Sequence, residues 1–121
     1  MNYKPSGDEK KNPKIITSPQ GVKRETHTMT GGQSLIHSLY NEGVRIIFGL
    51  PGVQMYHAII PILDYQDMKF ITTRHEQATT YMADGYARAG GKVGVAMVVP
   101  GPGLQNASAG ITNAYASSSP I

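Results

Sequence analysis

Ile71-Thr72-Thr73-Arg74-His75-Glu76-Gln77-Ala78-Thr79-Thr80-Tyr81-Met82-Ala83-Asp84-Gly85-Tyr86-Ala87-Arg88-Ala89 is the stretch that decides the fold. A β-branched run, Ile71 to Thr73, gives way to a pattern with helical spacing that Gly90-Gly91 ends. A strand handing over directly to a helix is the repeating unit of an open α/β sheet, and such sheets keep their chemistry at the carboxyl ends of their strands. Glu76 is the carboxylate at that handover and therefore the first candidate for a functional side chain. Position alone favours a plainer role for it, complementing the helix dipole from the first turn. Arg74 and His75 could orient Glu76, but a surface Arg and a packing His are the simpler readings. Ala78, Met82, Gly85 and Ala89 fall at helical spacing and predict the inner face, with Gly85 admitting a close approach of another backbone or a ligand.

The pattern repeats on both sides of this stretch. Upstream, Thr30 and Gln33 make a capping-box signature, and Leu35, Ile36 and Leu39 give one apolar face to a helix over about 31 to 42. Gly43 supplies a left-handed stop, and Val44 to Phe48 reads as a buried parallel strand broken by Gly49-Leu50-Pro51-Gly52. Met55, Ile59, Ile60, Ile62 and Leu63 form a second helical pattern that Pro61 should kink or split. Met68 to Thr73 is the next strand. Downstream, Val93 to Val99 reads as a strand, Pro100-Gly101-Pro102-Gly103 as a turn, and Leu104 to Ala116 as a helix. Ser117 to Pro120 interrupts again, and Ile121 looks like the first residue of a further strand. Alternating helices and strands with short turns predict a doubly wound, mostly parallel sheet with helices on both faces, incomplete at the C-terminus.

The totals allow one domain in 121 residues. The absence of cysteine excludes disulfides, thiol nucleophiles and zinc thiolate sites and suits a reducing cytoplasm. The four histidines show no metal-ligand spacing, so no metal site is proposed. The formal charge of +3 arises before residue 29, where Lys4, Lys10, Lys11, Lys14, Lys23 and Arg24 outnumber Asp8, Glu9 and Glu25. The remainder is balanced, which leaves no basic face for nucleic acid. Residues 1 to 28 hold three prolines and little to bury, and are expected to be a disordered basic leader rather than a targeting peptide. No apolar run approaches the roughly 20 residues of a membrane span.

Gly101-Pro102-Gly103-Leu104-Gln105-Asn106 is a poor dinucleotide fingerprint, because Asn106 replaces the third glycine and Pro102 lacks a donor where phosphate oxygens would need one. A rigid turn that brings backbone and Asn106 close to a flat ligand fits better, with a tight strand-to-helix connection as the even alternative. There is no P-loop and no nucleophile elbow.

Gly49-Leu50-Pro51-Gly52, Arg74-His75-Glu76-Gln77, Ala83-Asp84-Gly85-Tyr86-Ala87-Arg88, Gly101-Pro102-Gly103-x-x-Asn106 and Asn113-Ala114-Tyr115 follow one another in an order that resembles thiamine diphosphate-dependent enzymes. The resemblance covers residues 29 to 121, matches the N-terminal pyrimidine-binding domain, and is nearest to the acetolactate synthase-like group. It differs from that group in carrying Val99-Pro100 where a small polar pair is usual. It implies that Glu76 hydrogen-bonds N1′ of the cofactor's aminopyrimidine and so promotes loss of the thiazolium C2 proton, the step that starts decarboxylation or carboligation of a 2-oxo acid. Burial would raise the Glu76 pKa toward neutrality for this purpose. It further implies that Pro51, Gly52, Gly101, Pro102, Gly103 and Asn106 wall the pyrimidine ring. The diphosphate and Mg²⁺ would be held by a separate diphosphate-binding domain, from the same or a second subunit of a homo-oligomer. The expected function is thus a thiamine diphosphate half-site, inactive alone. The alternative is a non-catalytic assembly module that docks on a full-length subunit.

Overall fold

The computed structural model describes residues 28–121, together with the backbone of β1 (Lys14–Thr17) and β2 (Lys23–Thr26). These two strands pair antiparallel, from Lys14 opposite Thr26 to Thr17 opposite Lys23. The ladder stands where the sequence predicts no regular structure. Its β-branched run, Ile15-Ile16-Thr17, carries strand propensity that the low apolar content of the leader obscures. The rest of the expected leader, residues 1–13, 18–22 and 27, lies outside the described residues.

Residues 31–121 fold as an α/β unit. Helix α1 (Gly31–Asn41) ends at Gly43, whose φ of 84° is the left-handed stop that the sequence predicts. The Val44 N–H then returns to the Leu39 carbonyl at 2.9 Å, so the strand starts two residues later than its apolar run, as β3 (Ile46–Gly49). The next apolar segment splits at its proline into a 3₁₀ turn (Val53–Met55), helix α2 (Tyr56–Ile59) and a second 3₁₀ turn (Ile60–Asp64) that has Pro61 in its first turn. Strand β4 (Lys69–Thr72), helix α3 (Glu76–Gly90), strand β5 (Ala96–Met97) and helix α4 (Pro102–Ala116) complete the order.

The sheet is parallel in the order β4-β3-β5. Its first strand is central, so the path moves outward to β4 and then crosses to the other side for β5. Right-handed connections running in opposite lateral directions place helices on opposite faces. The side chains of β3 follow this division. Ile47 is fully buried with Ile36, Val44, Ile62 and Met68, whereas Phe48 meets Tyr86 of α3 edge-on at 5.9 Å. Ile47→Ala is expected to lower stability by about 2 to 5 kcal/mol, through lost transfer energy and an unfilled cavity. Urea denaturation would read this as a lower midpoint with an unchanged slope.

Two sequence expectations are corrected. The strand expected over 93 to 99 is only two residues long, because β3 pairs with it at Phe48 and Gly49 alone and the Gly94 N–H is taken by the Pro120 carbonyl at 2.9 Å. The buried face of α3 is Thr79, Thr80, Ala83, Asp84 and Ala87, not Ala78, Met82, Gly85 and Ala89. The reason is the identity of its neighbour. Helix α4 presents Gly103, Ala107, Gly110 and Ala114, a stripe of small residues against which hydroxyls can seat. Thr80 Oγ1 donates to the Ala107 carbonyl at 2.9 Å. The buried Asp84 carboxylate accepts from Arg88 Nε at 2.9 Å and from Asn113 Nδ2 at 2.8 Å. A buried carboxylate is tolerable when it is satisfied in this way, and here its partners join the two helices. Among the described residues no helix is long and apolar enough to cross a membrane.

Candidate functional site

The carboxyl ends of β3, β4 and β5 are Gly49, Thr72 and Met97, and every candidate residue lies on the turns that leave them or on the first turns of the helices α3 and α4 that follow. After β4 the chain stays anchored for one more residue, the Thr73 N–H donating to the Gly49 carbonyl at 3.0 Å. His75 is extended, with φ −156° and ψ 143°, and its Nδ1 accepts the Gln77 N–H at 3.1 Å. His75 is therefore the exposed N-cap of α3 and not the packing residue that the sequence suggests. The cap sets Glu76 as the first residue of the helix, half-exposed and directed by the helix start.

After β5 the chain turns at Gly101, which has φ 74°, and Pro102 opens α4 with the fixed φ that a first helical turn needs. One turn into α4, Asn106 Nδ2 donates to Glu76 Oε2 at 3.0 Å. The bond from Asn106, and after it Glu76's own backbone N–H, hold the carboxyl below the usual glutamate range, with a smaller electrostatic contribution in the same direction from the neighbouring His75, and together they outweigh partial desolvation, which acts the other way. The sequence expectation of a Glu76 pKa raised by burial is thus reversed in this chain. Asn106, which the resemblance puts on the cofactor ring, has its amide on Glu76.

Gly103 is buried beside the same carboxylate: a methyl group there would lie 3.6 Å from Glu76 Oε1 and 2.7 Å from Val99 Cγ2. A methyl group on Gly52 would collide with Val99 Cγ1. Val99 is therefore the wedge between the turn after β3 and the first turn of α4, and both turns close on it only because 52 and 103 are glycines. Pro51, Gly101 and Pro102 are exposed on these two turns. The structure accordingly brings Gly52, Glu76, Gly103 and Asn106 to one place, where the connections from β3 and β5 diverge toward opposite faces of the sheet. Open α/β sheets bind ligands at such a switch point. Among the described residues no cluster of His, Cys, Asp or Glu could hold a metal ion.

Residues 29–121 match the family of the thiamine pyrophosphate enzyme, N-terminal TPP binding domain. The chain belongs to this family. It is 44% identical over 93 residues to the acetolactate synthase large subunit of Buchnera aphidicola subsp. Schizaphis graminum, covering 77% of this chain and 16% of that protein. It is 47% identical over 93 residues to the probable acetolactate synthase large subunit of Methanocaldococcus jannaschii, again 77% of this chain and 16% of the relative. It is also 44% identical over 97 residues to the probable 2-ketoarginine decarboxylase AruI of Pseudomonas aeruginosa, covering 78% of this chain and 17% of that protein. The chain thus spans less than a fifth of each of these relatives.

What the sequence does not offer in this TPP binding domain is the role of Val99 and of the joint between α3 and α4. Val99 stands out in the sequence only as a departure from a pattern. Asp84 and Asn113 both fall in motif segments of the sequence, but the motifs do not give the bond between them, and Thr80 is signalled only by the spacing of Gly103, Ala107, Gly110 and Ala114 in α4, which marks a face that admits a close neighbour.

Proposed function

We propose that residues 29–121 form the pyrimidine-binding half of a thiamine diphosphate site in an acetolactate synthase-like decarboxylase or carboligase, with Glu76 as the group that activates the cofactor. The observation that carries this reading is the Glu76 carboxylate at the sheet's switch point, with Oε2 bonded to Asn106 and Oε1 beside a glycine. These residues fit the aminopyrimidine. One half-exposed carboxylate offers an acceptor that can hold or share a proton at a ring nitrogen, and Gly103 keeps the space beside Oε1 free of a side chain that would fill it. When bound, the cofactor supplies the electron sink for cleavage next to a carbonyl. The chain's own task is to bind the ring with Gly52, Gly103 and the turns around them, and to manage one proton at Glu76. Diphosphate and Mg²⁺ would be bound by another domain, of the same or a second subunit in a cytoplasmic homo-oligomer.

The test replaces the matching 93 residues of the Buchnera acetolactate synthase large subunit with the corresponding residues of this chain. The chimera is expected to turn over pyruvate in a thiamine diphosphate-dependent manner, and the 121-residue chain alone to be inert. Turnover by the chain alone would sink the half-site reading. A well-folded chimera without cofactor-dependent turnover would sink the assignment to this group of enzymes.

A second reading, an assembly module that docks on a complete subunit, draws on the exposed apolar side chains of α3 and α4: Tyr81, Met82, Leu104, Ile111 and Tyr115, the last 87% exposed. Sedimentation of the chain with a full-length relative separates the readings, since this one requires a complex even when Glu76 is replaced.

A further inference from the structure

We propose that Asn106 is a positioning residue for Glu76: from one turn into α4 its amide fixes the carboxyl group, engages Oε2, and leaves Oε1 on the Gly103 side as the oxygen that meets a ligand proton. The inference rests on the reading of Glu76 as the cofactor-facing acid, and it adds a role for Asn106 that contact with a ring would not require.

The geometry behind it joins two helices. Glu76 begins α3 and Asn106 lies one turn into α4, 30 residues later, yet their side chains meet at 3.0 Å. Their alignment is set next door, where Thr80 Oγ1 bonds the carbonyl of Ala107, the residue after Asn106. Gly103, one helical turn before Asn106, is buried against Val99 and flanks the other carboxyl oxygen. The carboxyl group is thus addressed on one oxygen by a donor and on the other by a residue without a side chain. A carboxylate with one oxygen committed presents the other in a defined direction, which a freely rotating Glu at a helix start does not. The donor also stabilises the ionised form, the direction found for Glu76. Few other titratable groups face this carboxyl. His75 lies at its own helix start, Arg74 is exposed one residue further back, and Gly103, Val99 and Asn106 from the packed elements carry none.

The experiment has two arms. In the 121-residue chain, the side-chain carboxyl carbon of Glu76 is followed by NMR as pH is changed, in the parent, in Asn106→Ala and in Asn106→Asp, the isostere that lacks the donor. Both variants are expected to fold, since Asn106 is exposed, and both are expected to move the Glu76 midpoint upward, Asp more than Ala because it adds a like charge. The same shifts in a His75→Asn background exclude the imidazole as their source. An unchanged midpoint in both variants would overturn the proposal, and this arm is independent of any catalytic role for Glu76. In the chimera, Asn106→Ala is expected to move the limb of the kcat–pH profile that Glu76 governs to higher pH, with the KM for thiamine diphosphate little changed. A raised KM with an unmoved limb would instead make Asn106 a ring contact and overturn the positioning role. Full activity of the Glu76→Gln chimera would fail the underlying reading while leaving the NMR result to stand by itself.

Discussion

Gly110→Val is expected to abolish the native fold of residues 31–121, whereas Gly85→Ala, a change at another mid-helix glycine, is expected to stabilise it. Both residues cost helix propensity of about 1 kcal/mol relative to Ala, so propensity alone predicts the same sign for the two sites. The surroundings decide otherwise. Around Gly85 a new methyl group meets nothing within 4 Å, and the gain of about 0.5 to 1 kcal/mol should appear undiminished. At Gly110 the first carbon of a side chain would collide with Thr80 Oγ1, and would lie 2.7 Å from Thr80 Cβ and 2.9 Å from the Tyr81 backbone nitrogen. Thr80 cannot swing away cheaply, because it is buried and its hydroxyl donates toward the Gln77 and Ala107 carbonyls. Nor can a backbone nitrogen yield without moving α3. Overpacking in ordinary cores costs about 1 to 3 kcal/mol. Here a branched side chain must push apart a pair of helices that also share the Asp84–Asn113 hydrogen bond, against a total stability of about 5 to 15 kcal/mol for a domain. Circular dichroism and urea titration of the two variants check the contrast. Gly110→Ala in a Thr80→Ala background should recover only a fraction of the loss, since the Tyr81 nitrogen remains. A Gly110→Val chain with the parent's urea midpoint would show that α3 and α4 are not in the contact described.

The same two glycines show how far the sequence can be read. Residue spacing predicts that a glycine in α3 admits a close approach. The close approach exists, but it is made by α4's Gly110 onto α3. A helix face of Thr79, Thr80, Ala83, Asp84 and Ala87 does not look buried on any hydrophobicity scale, and becomes so because its partner is nearly bare. The succession of helices and strands and the split at Pro61 are legible, because turn residues and β-branched runs act locally. The length of β5 is not, since a strand lasts as long as its partner, and β3 meets it at two residues only. At the site, motif order points to Glu76, Gly103 and Asn106, and the fold brings them together, but the pKa expectation is reversed. That quantity depends on a hydrogen bond between residues 30 apart, which no local pattern encodes.

Glu76→Gln, placed in the chimera that carries this chain's segment, is expected to lower kcat by about 10²- to 10⁴-fold, the range over which a positioned proton-transfer group contributes. The substitution keeps the length and shape of the side chain and an oxygen for Asn106 to address, so the helix start and the bond across to α4 can persist. What it removes is the capacity to hold a proton. A contribution to the helix dipole alone would disappear with the charge as well, but it would be read as a small change in stability and not in turnover. The urea midpoint of the isolated chain is therefore expected to stay close to the parent's while activity collapses. Glu76→Asp sharpens the comparison. It retains the proton site but draws it back by one methylene from both Asn106 and the space beside Gly103, so activity should fall between parent and Gln variant. Steady-state assays of the three chimeras across pH, at saturating thiamine diphosphate and Mg²⁺, check the ordering. Near-parental kcat for Glu76→Gln would mean that proton management lies elsewhere, and would return Glu76 to the helix-start carboxylate that its position alone suggests.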